Sequence, residues 1–268
     1  MGHTKAGRDF AFIDDVTAVD AIDRISPTLE PDQLALMRQD WHHLLFLHWE
    51  VSPHELQALI PPELTIDTFD GIAYVGLVPF TMTGVRPVGV PPLPWVSSFH
   101  EINVRTYVHR DGRDPGVWFF SLDASSAIAV AAARAAYKLP YFHSHIEFLA
   151  SQGAIPEIDF TSHRDDPSGT QPANAHIRYK AMEGIVTPAA PGSLEHFLIE
   201  RYILYATDDE HQLYRARVHH QPYPIQRADL LELDETLVWA AGIKRSEAHP
   251  LRHYAREVNV KIYPNEKL

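Results

Sequence analysis

The stretch SSFHEINVRTYV, residues 97–108, decides how the rest of the chain is read. Written as a strand it alternates: Ile102, Val104, Thr106 and Val108 share one face, and Glu101, Asn103 and Arg105 share the other. An acid, an amide and a guanidinium at every second position have two readings. On the outer face of an edge strand they meet water, or pair as a fold-holding ion pair. On the inner face of a closed sheet they point into one small space and form a site.

The neighbours of this strand extend the pattern. HRDGRDPG (109–116) reads as a turn, and VWFFSLD (117–123) as the returning strand. Upstream, LTIDTFDGIAYVGLVPFTM (64–82) reads as two strands around Asp70-Gly71, followed by a proline-rich loop, GVRPVGVPPLPW (84–95). WHHLLFLHWEV (41–51) is a buried strand. In SPHELQALIPP, Ser52 caps a helix, Pro53 takes its first position, Glu55 completes a capping box, and Pro61-Pro62 end it. PDQLALMRQ (31–39) reads as a short helix, and residues 1–30 as an extended arm.

Downstream, ASSAIAVAAARAAYK (124–138) is a helix by propensity, capped by Asp123 or Ser125. It leaves into a strand, LPYFHSHIEFLA (139–150). Residues 155–163 and 174–182 form a hairpin, SLEHFLIERYILYA (193–206) turns from helix to strand, and 213–225 and 256–264 are further strands. Residues 228–242 fit either type. Many strands with a few short helices imply an α+β fold, mostly an antiparallel, twisted, barrel-like sheet, with one domain over 31–268.

Composition narrows the function classes. A net charge of −12 argues against a nucleic-acid surface, which needs a basic stripe. No apolar run is long enough to span a membrane, and MGHTKAGRDF lacks the order of a signal peptide, so a cytoplasmic location is expected. Without cysteine there is neither a disulfide nor a thiolate nucleophile. No phosphate-binding glycine loop, dinucleotide fingerprint or G-x-S-x-G elbow occurs, and no cofactor is expected. Self-association is left open.

Four blocks occur in a familiar order: FLHWEVSPHELQALIPPELTIDTFDGIAYVGLVPF, FHEINVRTYV, GVWFFSLDASSAIAVAAARAAYKLPYF and FLIERYILYA. Together they resemble the YqjF-like family of uncharacterised proteins, within the acetoacetate-decarboxylase-like superfamily. The resemblance implies a barrel-like antiparallel sheet around a central pocket. Decarboxylases of this superfamily use a lysine Schiff base, activated by a neighbouring cation or by burial. It also implies that Glu101 matches their strand glutamate, and that KLPYF matches the turn carrying their lysine pair. Tyr141 and Phe142 stand at those two positions, so the nucleophile is missing. Lys138 precedes the proline and would need another path to the pocket.

On this basis Glu101 is expected as the acid–base or orienting group, Arg105 as the carboxylate anchor, and Tyr141 as a hydrogen-bond donor. Asn103, Arg201, Tyr202 and Trp95 are expected to contact substrate, though Glu200 and Arg201 also read as a structural ion pair at a helix end. Tyr141, His143, His145 and Glu147 share a strand face and suggest a metal, but same-face neighbours on one strand rarely converge on one ion, so none is expected. His42-His43 and His219-His220 are weaker still. The expected partner is a small organic acid or carbonyl compound, handled by acid–base chemistry of the lyase, hydratase or hydrolase type. The alternative is a binding or sensing protein that kept the cavity alone.

Overall fold

The structure, a computed structural model, describes residues 22–93, 97–168 and 171–268. Trp95 and the end of the proline-rich loop, like residues 1–21 of the expected arm, lie outside them.

β4 (Phe99–Arg110) and β5 (Arg113–Ala124) form the hairpin implied by the opening stretch. At its tip Asp111 and Gly112 both have positive φ, 50° and 73°, which matches the twist of the flanking strands. β3 (Ala73–Pro87) pairs along the other side of β4. The expected hairpin before it is cut short: Phe69 and Ile72 make one bridge across Asp70-Gly71, while β2 (Thr65–Ile66) pairs with β4 instead. Asp67, between them, turns inward to two arginines.

β1 (Met37–Val51) starts four residues earlier than its apolar run suggests. No helix forms over 31–39, because Met37 and Arg38 are paired on both sides, with β3 and with β12 (Leu251–Lys267), and that pairing overrides local propensity. α1 (Pro53–Gln57) begins as expected, with Ser52 accepting from the Glu55 amide. α2 (Ala127–Tyr137) is capped by Ser126, which accepts from the Ala129 amide at 3.3 Å. Ser125 is taken by the backbone of His100 instead.

The remaining elements are β6 (Tyr141–Ala150), β7 (Ile158–Arg164), β8 (Asn174–Ala181), α3 (Leu194–Ile199), β9 (Ile203–Thr207), β10 (Leu213–His220), β11 (Ile225–Glu235) and α4 (Leu237–Ala240). All strands join one sheet, antiparallel except where β5 meets β6 and β9. Its pairings close a ring, β4–β5–β9–β10–β12–β1–β3 and back to β4, with β6, β7, β8 and β11 as a second loop of strands between β5 and β12. The β5–β9 contact depends on Gly116, where a Cβ would stand 2.6 Å from the Ile203 carbonyl oxygen.

Residues 44–49 of β1 are buried on both faces, which explains why that run is almost continuously apolar. One core gathers Leu45, Leu47 and Trp49 with Ile102, Val104 and Val108; the other gathers Leu44 and Phe46 with Phe80, Tyr107 and Leu122. The switch in β1 is made at His43, a non-glycine residue with φ 55° in mid-strand. There the β1–β3 register breaks between His42 and Leu47. Gln39 and Trp41 line the ring's interior before the bulge, and Leu44 and Phe46 line it after. The bulge is held from outside by two tyrosines: Tyr254 bonds the His43 ring, and Tyr179 donates to its carbonyl.

Candidate functional site

The ring encloses a cavity of about 110 Å³. An apolar cavity of ~150 Å³ accommodates benzene, so this space suits a small molecule. Its walls come from β1, β3, β4, β5, β6, β9, β10 and β12, and from Ala133 and Tyr137 of α2. They are mostly aliphatic and aromatic. Into this lining β4 sends Glu101, Asn103 and Arg105. All three are buried, Glu101 to 2% and Arg105 to 9% exposure. The alternation read from residues 97–108 is therefore that of a strand buried on both sides, with its polar face inward.

Glu101 and Tyr141 form one end. The Tyr141 hydroxyl donates to Glu101 Oε2 at 2.8 Å, and Asn103 Nδ2 donates to Oε1 at 3.3 Å. Burial pushes the Glu101 carboxyl up to about 7, and the nearby Asp123 charge adds to this; the Tyr141 and Asn103 hydrogen bonds oppose it. Tyr141 is held well above its ordinary range by burial, then by the Glu101 charge. Asp123 belongs to the wall, not the chamber. Arg164 grips it with two hydrogen bonds of 2.6 and 2.7 Å, Ser144 adds a third, and Phe142 stacks under the Arg164 guanidinium.

Arg105 forms the other end. It meets no carboxylate within ion-pair distance among the described residues. Its Nη2 donates to the Leu198 carbonyl at 3.3 Å, its guanidinium lies over Phe46 and Tyr107, and its Nε has no partner. Tyr107 donates to the same Leu198 carbonyl at 2.6 Å. Its only proton is thereby used, so the His48 Nε2–H donates to the Tyr107 oxygen at 2.6 Å. Burial, then the Arg105 charge, pushes His48 well below its ordinary range, consistent with a neutral ring. Gly76 lets His48 and Arg105 pack this closely; a Cβ there would meet both at 3.2–3.3 Å.

Other expected contacts fall outside the chamber. Arg201 is buried, but against Asp67: its Nη1 donates to Oδ2 at 2.9 Å, and Nε donates to the Phe197 carbonyl. Arg24 binds the second Asp67 oxygen. Tyr202 donates to Glu200 and stacks on His220. Neither Arg201 nor Tyr202 lines the cavity; their bonds to Asp67 and Glu200 hold them in the wall. Glu200 does reach the site indirectly, since its Oε1 accepts from the amide of Tyr223, whose ring lines the cavity. Nothing in QPYPI marked Tyr223; its flanking prolines are the one local sign of a fixed backbone.

Lys138 is the left-handed C-cap residue of α2, and its Nζ donates to the Ala135 carbonyl. No lysine lines the cavity among the described residues. His143 bonds Asp165, His145 and Glu147 extend into solvent, and the described residues hold no metal-binding group of three or more His, Cys, Asp or Glu side chains. No described helix is long and apolar enough to cross a membrane.

Comparisons with other proteins agree with the fold. Among solved structures, the enduracididine biosynthesis enzyme MppR, complexed with the condensation product of pyruvate and imidazole 4-carboxaldehyde, superposes with a TM-score of 0.60 at 12% identity, over 88% of this chain and 90% of MppR. Acetoacetate decarboxylase from Legionella pneumophila gives 0.58 at 12% identity, over 89% and 91% of the chains. An acetoacetate decarboxylase-like enzyme from Sphingomonas wittichii RW1 gives 0.56 at 13%, over 88% and 94%. At such identities the likeness is one of fold. In sequence, the uncharacterized protein YqjF of Bacillus subtilis (strain 168) is 38% identical over 237 residues, 88% of this chain and 94% of YqjF. Residues 38–259 match DUF2071, described as "Uncharacterized conserved protein". The chain thus belongs to the YqjF-like DUF2071 family, and it carries the acetoacetate-decarboxylase-like fold.

Proposed function

We propose that the chamber binds a small, enolisable organic acid and that Glu101 moves a proton on it. The observation that carries this reading is the division of labour along β4. A cation without a carboxylate partner lies at one end, and a carboxyl poised near neutrality at the other. Arg105 binds the ligand's carboxylate. Glu101, about half ionised near pH 7, takes a proton from the carbon beside the ligand's carbonyl and returns it, while Tyr141 keeps its oxygen in place. With no lysine in the lining among the described residues, the chain's own groups supply acid–base chemistry rather than an imine. That MppR was solved with pyruvate makes 2-oxo acids the first probes.

The test is solvent deuterium exchange into the C3 protons of small 2-oxo acids, followed by NMR. Catalysed exchange is expected with the unaltered chain, with Glu101→Gln reducing it by 10²-fold or more, on the order of a general base's contribution. Binding without exchange would favour the second reading, a sensing protein, which the missing lysine also supports. If borohydride traps a lysine adduct with pyruvate or acetoacetate, the acid–base reading is wrong.

A further inference from the structure

Between the two ends of the chamber sits Asn103, whose amide has two different sides. Nδ2 donates to Glu101 Oε1, while Oδ1 is buried and has no hydrogen-bond partner among the described residues. The residue is 4% exposed and lines the cavity. One step along β4, on the same face and roughly 6–7 Å away at the backbone, Arg105 Nε is likewise buried and unpartnered. Tyr223 is the third group. Its ring lines the cavity, its hydroxyl makes no hydrogen bond among the described residues, and the Arg105 charge acts on it against the upward push of burial. Buried polar groups without partners are rare and costly, and two of them, Asn103 Oδ1 and Arg105 Nε, on residues that line one cavity describe what should fill it. Here they ask for an acceptor at Arg105 and Tyr223 and a donor at Asn103.

We propose that Asn103 is a specificity-determining residue: its Oδ1 accepts a hydrogen bond from a hydroxyl or enol next to the carboxylate of an acid held by Arg105 and Tyr223. The ligand class is then a 2-hydroxy acid, or the enol of a 2-oxo acid, in preference to the oxo form. This rests on the reading of Arg105 as anion anchor and adds to it the identity of the adjacent group.

The amide's direction is set by Glu101. While Glu101 is ionised, its oxygens can only accept, so Asn103 must turn Nδ2 to it and Oδ1 to the ligand. Once Glu101 takes a proton, its hydroxyl can donate to Oδ1, and a turned amide would present Nδ2 to the cavity. The titratable groups facing Glu101 are Tyr141 on β6 and Asp123 on β5, the latter paired with Arg164 on β7. Tyr141 stays protonated throughout, and Asp123 is committed to Arg164 and Ser144. The preference for a hydroxyl is therefore strongest above neutrality and weakens below it.

The experiment is titration calorimetry of the full chain with matched pairs, pyruvate against each enantiomer of lactate and 2-oxobutyrate against each enantiomer of 2-hydroxybutyrate, at pH 8 and pH 6. One enantiomer of each hydroxy acid is expected to bind about tenfold tighter than its oxo partner at pH 8, the worth of one buried hydrogen bond. The ratio should shrink at pH 6. Asn103→Leu should bring the two within about twofold while both still bind, and Arg105→Met should weaken both together. Oxo acids binding as tightly as both hydroxy enantiomers in the unaltered chain, or a ratio unchanged by Asn103→Leu, overturns the role of Asn103 alone. Binding unchanged by Arg105→Met, or no binding of any acid, overturns the anion anchor and this inference with it.

Discussion

Arg105 and Arg201 are both buried arginines, and both lie over the ring of Tyr107. They differ in what meets their charge. Each leaves one buried nitrogen unpartnered, but Arg201 has the Asp67 carboxylate and the Phe197 carbonyl, whereas Arg105 has one long bond to the Leu198 carbonyl and no carboxylate among the described residues. The same contrast separates two buried acids. Asp123 is saturated by Arg164 and Ser144, whereas Glu101 has only neutral donors and keeps its proton to about pH 7. The difference teaches how to tell a fold-holding charge from a ligand-holding one. A charge that holds the fold is neutralised inside the chain. A charge that holds a ligand is buried, supported by neutral groups and left for something else to neutralise.

The largest effect expected from this contrast is on the saturated side. Asp67→Ala leaves Arg201 buried without its carboxylate and frees Arg24, and should cost about 3–5 kcal/mol in urea unfolding. Arg105→Met is the opposing case. It removes an unneutralised charge and should change stability by less than about 1 kcal/mol, because it loses one 3.3 Å bond and the contacts with Phe46 and Tyr107 but also the cost of burying the charge. Equal losses in the two variants would erase the distinction between the arginines.

Next in size is a pH effect at Glu101. In the unfolded chain its carboxyl ionises near the ordinary value of 4.5; in the folded chain, at about 7. The folded state binds the proton more tightly, so its contribution is full below pH 4.5 and is lost as pH rises through 7. Glu101→Gln, always neutral, should be more stable than the unaltered chain by ~1–3 kcal/mol at pH 8 and equal to it near pH 4. Denaturation at the two pH values measures this, and a difference independent of pH would show that folding does not raise the Glu101 carboxyl. The smallest effect is local. Ser126→Ala removes the cap of α2 and should cost about 1 kcal/mol, whereas Ser125→Ala, outside the cap, should leave the helix content seen by circular dichroism unchanged.

Legibility followed the range of the interactions. The β4–β5 hairpin, α1 and α2 were readable because turn residues, caps and alanine act within a few positions of themselves. Helix over 31–39 was misread because strand pairing with residues more than two hundred positions away decided that segment. For β4, the alternation of Glu101, Asn103 and Arg105 was plain, and the family resemblance put that face inside. For Arg201 and Tyr202, type and spacing gave no means of choosing between pocket and wall, since the deciding partner of Arg201, Asp67, is remote in sequence.

By itself the sequence determined the strand-rich class, the capped start of α1, the presence of α2, and the polar face of β4, all of which are periodicities or contacts within one or two turns of chain. Only the tertiary structure decided that this face closes on a chamber, that Tyr223 and the His48–Tyr107 pair support it, and that Arg201 is neutralised while Arg105 is not. The physical reason is that burial and charge compensation belong to the space between elements. A buried arginine is the same residue in either setting, and its meaning is fixed by whether a carboxylate from elsewhere in the chain reaches it.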